Sequence, residues 1–247
     1  MRLFDSHFHI IDSRFPLIPN DSYLPPNFTV ADYLKEAKPL HIDSGAVVSG
    51  SFQAFDQTYL IAALKELGPR YVGVTQLPAS TSDEEIHRLH KAGIRAVRFN
   101  LKRGGSEGIE NLETVANRVF ELVRWHVELY VDSTYLKELS PTLIELPSVS
   151  IDHLGLSKAG FPDLLKLVES GVKVKATGFG RVDFDVKQAL KDLAAANEDA
   201  LMFGTDLPST RAPRPFQVED IDLIRETFDS RLAEKVLYAN AARFYRI

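Results

Sequence analysis

The sequence contains no cysteine, which removes disulfides, thiolate nucleophiles and cysteine-ligated metals from consideration. It has no long basic run and a net charge of −5, so a nucleic-acid footprint is not expected. No apolar stretch is long enough to span a bilayer, and the first residues lack the charged and apolar regions of a secretory signal. These absences lead to the expectation of a cytoplasmic protein whose partner is a small molecule rather than a nucleic acid or a membrane. Low-complexity tracts, sequence repeats and flexible linkers are missing as well. What remains is 247 residues, 45% hydrophobic and 26% charged, enough to bury a substantial core. We read residues 1–247 as one domain.

Eight short β-prone runs punctuate the chain: RLFD (2–5), SGAVVSG (44–50), YVGVTQL (71–77), IRAVRFN (94–100), HVELYVD (126–132), SVSIDH (148–153), VKVKATG (172–178) and ALMFGTD (200–206). Helical patterns separate them. In SDEEIHRLHKAG, Ser82 and Glu85 have capping-box spacing and Gly93 is a stop. Strand and helix alternating in this way predict parallel strands with crossover helices, and eight such units in about 250 residues match an α/β (β/α)8 TIM barrel. The rival, an open doubly wound sheet, requires a glycine turn after the first strand, and DSHFHI has no glycine. Two proline-rich loops, 14–28 and 207–216, follow the first and last strands, and in a closed barrel they would meet over its mouth.

In a barrel of this kind the residues just past each strand surround the active site. Here they are His7 and His9, Ser51, Arg98 and Asn100 with Lys102 and Arg103, Tyr130 and Asp132, Asp152 and His153, Arg181, and Thr205 and Asp206. Alternate residues of an extended chain point the same way, so His7 and His9 face a common point. Each residue also has a plain structural role open to it: His153 as a bonded core histidine, Asp206 as a turn cap, Tyr130 as packing. Their fall on one rim is harder to explain so. The histidines at 41, 87, 90 and 126 lie in helices or at strand starts and are read as structural or solvated.

DSHFHI, GIRAVRFN, WHVELYVD, SIDHLG, FGTDLPS and NAARFY, in this order, resemble the amidohydrolase-2 family of TIM-barrel hydrolases. Within it the likeness is to the branch of the 2-pyrone-4,6-dicarboxylate lactonases. The resemblance implies that His7 and His9 form the family's H-x-H, that His153 is its histidine after the sixth strand, and that Asp206 is its late aspartate. It further implies a metal site of His7, His9, Asp206 and His153, if zinc or manganese is bound. Tyr130 stands where metal-dependent relatives have another histidine; the lactonase branch resembles this sequence in carrying tyrosine there and works by metal-free catalysis, which weakens the metal reading without abolishing it. Arg98, Arg181 and Arg103, with Ser51, match substrate-binding positions for an acidic substrate. Leu156 departs from the pattern, where the lactonase carries arginine.

The resulting expectation is a lactone hydrolase. Asp206 would be general base on water, and His7, His9, His153 and Tyr130 would polarise the carbonyl. A metal-dependent amidohydrolase or decarboxylase on the same barrel is one alternative. A non-catalytic ligand-binding barrel is another. A DNase-like barrel is disfavoured, because the third strand ends in TQLP and the last in GTD.

Overall fold

The structure, a computed structural model, describes residues 2–247. Eight parallel strands stand in chain order around one sheet: β1 (Leu3–Phe8), β2 (Ile42–Val48), β3 (Tyr71–Thr75), β4 (Ile94–Asn100), β5 (His126–Tyr130), β6 (Val149–Ile151), β7 (Lys173–Ala176) and β8 (Leu201–Phe203). Each pairs only with its sequence neighbours. The last seam closes above the strands. The Asp206 amide donates to the His7 carbonyl at 2.8 Å or less (2.7 Å), and the His9 amide donates to the Leu207 carbonyl at 2.8 Å. Gly204 permits this approach, since a Cβ there would lie 2.8 Å from the His7 nitrogen. The predicted (β/α)8 barrel is the observed fold.

The helices cover the outer face because their apolar residues recur at helical spacing. On α4 (Leu112–Val123) the buried set is Leu112, Val115, Ala116, Val119 and Val123. Side-chain caps start several helices: Thr29 with Asp32 closes a capping box on α1 (Val30–Ala37), and Ser82 caps α3 (Asp83–Lys91). Strand residues of one parity pack against these helices, as Val97, Phe99, Val127 and Leu129 do. The other parity faces inward. Inside the barrel, Phe4, Ala46, Val72, Ala96 and Met202 belong to a second cluster with Tyr245 of the last helix (Asn240–Tyr245). Further along the same strands the inward residues are polar, which places the chemistry at the C-terminal end.

Some boundaries differ from the sequence reading. β5, β6 and β8 are shorter than predicted, so Asp132, Asp152 and Asp206 lie just beyond the strands and His153 opens a short 3-10 helix, His153–Gly155. β1 runs on to Phe8 and carries His7 within it. The C-terminal helical run, Ser230–Glu234 and Asn240–Tyr245, is interrupted by a π-helical break at Lys235–Ala239. Asn240 anchors the break by donating to the carbonyls of Glu198 and Leu201. No helix among the described residues is long and apolar enough to cross a membrane.

Candidate active site

Three imidazoles converge on one carboxylate oxygen. Asp206 Oδ1 lies 3.7 Å from His9 Nε2, 4.0 Å from His7 Nε2 and 4.0 Å from His153 Nε2. The rings pack edge to face, with centroids 5.1 Å apart for His7–His9 and 4.8 Å for His7–His153. All four residues are buried. Oδ1 of Asp206 and Nε2 of His7 have no hydrogen-bond partner among the described residues. Buried polar atoms are rarely left so, and those that are tend to belong to working sites. His153 and Asp206 also hold positive φ, 50° and 60°, a strained conformation for residues with a Cβ. Gly178, at φ 63°, makes room for His153, because a Cβ there would lie 2.6 Å from its Nδ1.

Charge is arranged in pairs around this centre. Arg181 donates through Nε to Asp206 Oδ2 at 2.7 Å, with Nη2 at the same distance. Arg98 donates to Asp152 Oδ2 from Nε and Nη2, at 3.1 and 2.8 Å, and from Nη1 to the Ser49 carbonyl. Its guanidinium lies 5.2 Å from the Tyr130 ring centroid. Burial alone would raise Asp206, but the neighbouring His153 and Arg181 hold it well below the usual carboxylate range. Asp152 is likewise held low against burial, chiefly by Arg98. Burial pushes His7 down to about 3, with Lys175 and Arg98 adding to the effect and Asp152 opposing it. Burial also takes His153 well below its ordinary value. His7 and His153 are therefore neutral and Asp206 is ionised at neutral pH.

A narrow cavity of about 30 Å³ opens above the histidines, lined on its far side by Ser51, Asn100, Arg103, Tyr130 and Arg211. Arg211 donates to Asn20 Oδ1 at 3.0 Å and to Ser51 Oγ at 3.2 Å. Asn20 in turn donates to the Arg103 carbonyl at 2.8 Å. The two proline-rich loops thus meet over the mouth. Arg103 makes no ion pair among the described residues, and Arg211 makes only a long one, to the largely exposed Asp21 at 3.9 Å. This side of the cavity carries a surplus of positive charge, two guanidinium groups against one exposed carboxylate.

Every residue predicted for the site, His7, His9, Ser51, Arg98, Arg103, Tyr130, His153, Arg181 and Asp206, comes to this cavity or its floor. Of the other rim candidates Asn100 also lines it, but Lys102, Asp132 and Thr205 do not. Lys102 and Asp132 pair with each other at 3.0 Å outside it. Thr205 turns to Asp5, donating from Oγ1 at 2.6 Å. Sequence reasoning passed over Arg211, because its loop position gave no period to follow. It also passed over Glu128 and Lys175, which lie fully buried beneath the histidines and pair with each other. HVELY does carry a signal, since His126, Glu128 and Tyr130 are the inward parity of an otherwise apolar strand.

By spacing, His7, His9 and Asp206 could hold a metal, with ligand atoms all within 4.8 Å of one another. The surrounding charges do not suit one. Lys175 Nζ lies 3.2 Å from His7 Nδ1, Arg181 occupies the other oxygen of Asp206, and Tyr130 is a poor ligand beside imidazole.

The chain belongs to the amidohydrolase family, whose model matches residues 4–247. It is 31% identical over 171 residues to a 2-pyrone-4,6-dicarboxylate hydrolase of Comamonas testosteroni, a match covering 67% of this chain and 54% of the other, so it spans about half the length of that relative. It is 27% identical over 269 residues to a 4-sulfomuconolactone hydrolase of Rhizobium radiobacter, covering 98% and 89%. An Acinetobacter baumannii structure described as a probable 2-pyrone-4,6-dicarboxylic acid hydrolase superposes with a TM-score of 0.87 over all of both chains, at 23% identity, which shows the shared fold.

Proposed function

We propose that this protein hydrolyses a lactone that carries a second, acidic group. The observation that carries the reading is the unpartnered Oδ1 of Asp206 among three imidazoles, in one cavity with Arg103 and Arg211, whose only carboxylate partner among the described residues is the exposed Asp21. Relatives named as hydrolases of 2-pyrone-4,6-dicarboxylate and of 4-sulfomuconolactone support it.

Water bound at Asp206 Oδ1 loses a proton to that oxygen as it attacks the lactone carbonyl. The proton then passes to the ring oxygen as the C–O bond breaks, giving a ring-opened acid. A carboxylate held as acidic as Asp206 is a weak base, so most of the rate must come from stabilising the oxyanion. His7 and Tyr130 are the donors assigned to that oxygen, and His9 and His153 orient the water. Arg98 and Arg181, which the sequence reading gave to the substrate, have their forks committed to Asp152 and Asp206. We therefore assign the substrate's acidic group to Arg103 and Arg211, with Ser51, where guanidinium forks suit a carboxylate or sulfonate.

A zinc or manganese ion held by His7, His9 and Asp206 would supply a polarised water. The charges around His7 disfavour it, and no step is assigned to it. The ligand spacing keeps a metal-dependent amidohydrolase as the second reading. The test is a panel of acidic lactones, neutral lactones, amides and aromatic acids, assayed with and without chelator. Turnover confined to acidic lactones and unaffected by chelation supports the proposal. Turnover confined to amides, or abolished by chelation, rejects it, and binding without turnover leaves a ligand-binding barrel.

A further inference from the structure

Lys175 takes no part in the chemistry above, yet a lysine is rarely enclosed so completely. It lies on β7 inside the barrel, fully buried. Its Nζ pairs with Glu128 on one side and stands 3.2 Å from His7 Nδ1 on the other. Glu128 is itself held by His126 at 3.0 Å and by the Tyr245 hydroxyl, which donates to it. The ammonium is thus fixed from below and aimed at the back of the His7 ring.

An ammonium has three hydrogens and no lone pair, so this contact runs one way: Nζ donates and Nδ1 accepts. A neutral imidazole that accepts at Nδ1 carries its hydrogen on Nε2. That is the atom of His7 which turns to Asp206 Oδ1 and has no partner. His9 is set the opposite way. Its Nδ1 lies 2.7 Å from the Val48 carbonyl, which can only accept, so Nδ1 carries a hydrogen and the neutral ring presents a lone pair at Nε2.

We infer that Lys175 is a positioning residue: it fixes His7 as a hydrogen-bond donor toward the cavity and, by the same contact, keeps a divalent cation out of the H-x-H pair. An imidazole that binds metal presents a lone pair to it and donates from the other nitrogen to a carboxylate or carbonyl. The acceptor for that alternative is already in place. Asp152 Oδ1 lies 3.5 Å from His7 Nδ1 and makes no hydrogen bond. The ammonium decides between the two arrangements. Without it, Nδ1–H turns to Asp152, and the Nε2 lone pair of His7 joins His9 Nε2 and Asp206 Oδ1. The donor role toward substrate rests on the hydrolytic reading above, whereas the exclusion of the cation does not, and its tests need no substrate.

Long-range ¹H–¹⁵N correlation on the unaltered protein, with His7 assigned by comparison with His7→Gln, reads the tautomer directly. The expected result is hydrogen on Nε2 of His7 and on Nδ1 of His9. Hydrogen on Nδ1 of His7 overturns the inference. Equilibrium dialysis against Zn²⁺ and Co²⁺ then compares the unaltered protein with Lys175→Met and with Lys175→Met/Glu128→Gln, the second of which removes the carboxylate that the first leaves without its cation. At least one folded variant is expected to take up one ion per chain, about tenfold or more tighter than the unaltered protein. No gain in any folded variant defeats the proposal. Should both variants unfold, the tautomer of the unaltered protein decides alone.

Discussion

Arg181 and Asp206 share one oxygen and leave the other open: Oδ2 receives the guanidinium at 2.7 Å, while Oδ1 has no hydrogen-bond partner and faces three imidazoles. The pairing keeps the acid ionised in a buried place, and the open oxygen is where water can be held. Asp206→Asn preserves the shape and removes the charge. It is expected to lower kcat on the best lactone by about a thousandfold, the range for losing a base or a preorganised charge at a reacting centre. Circular dichroism should show the fold retained. Wild-type turnover in this variant would remove Asp206 from the mechanism.

Arg103 and Arg211 are expected to select for the acidic group. Arg211→Met should raise KM for acidic lactones roughly tenfold or more, about 1.4 kcal/mol, and change kcat little. Neutral lactones should respond weakly. An equal effect on both substrate types would mean that Arg211 serves only to latch the two loops through Asn20.

Gly178→Ala tests the support of His153. The new methyl would meet Nδ1 at 2.6 Å and a positive φ must be kept. The backbone effect costs about 1–2 kcal/mol. Activity is expected to fall further than stability does, because the displaced ring leaves its place beside Asp206. Melting temperature and kcat, measured on one preparation, separate the two effects.

Arg98 and Asp152 are both almost wholly buried and joined at 2.8 Å. Arg98→Met strands a buried carboxylate and should destabilise the fold by about 3–5 kcal/mol. Asp152→Asn in the same chain should recover part of that loss. Simple additivity across the double-mutant cycle, read by denaturant unfolding, would show that the pair is not coupled.

Stability should fall on acidification from about pH 6.5 downward. His7 has its folded pKa lowered to about 3, so between those values the unfolded chain binds a proton that the folded chain refuses, and stability is lost as pH falls. His153, lowered in the same sense, adds to this. Asp5 acts oppositely. Burial raises it to about 6, so as pH falls from 6 toward 3.8 it takes up a proton in the folded state first and stabilises. Asp5→Asn should therefore steepen the acid loss between about pH 6 and 4. The check is unfolding free energy against pH for both proteins, and parallel curves would show that Asp5 does not titrate in this window.

The linear pattern determined a great deal about this protein. Eight apolar β-prone runs at regular spacing, with amphipathic helices between them, admit few solutions other than a closed parallel barrel, since each strand must be covered on both faces. That architecture then gathers whatever follows each strand, which is why His7, His9, His153, Asp206 and the rim arginines could be named from order alone. The hydrophobic period that locates strands does not say which charges will meet. Arg181 closing on Asp206, Arg98 on Asp152, and Lys175 standing behind His7 depend on contacts between residues 25, 54 and 168 positions apart. Tertiary structure alone decided which arginines are spent on internal acids and which are left for a ligand. The reason is physical: burial makes each charge find a partner, and the partner is set by distance in space.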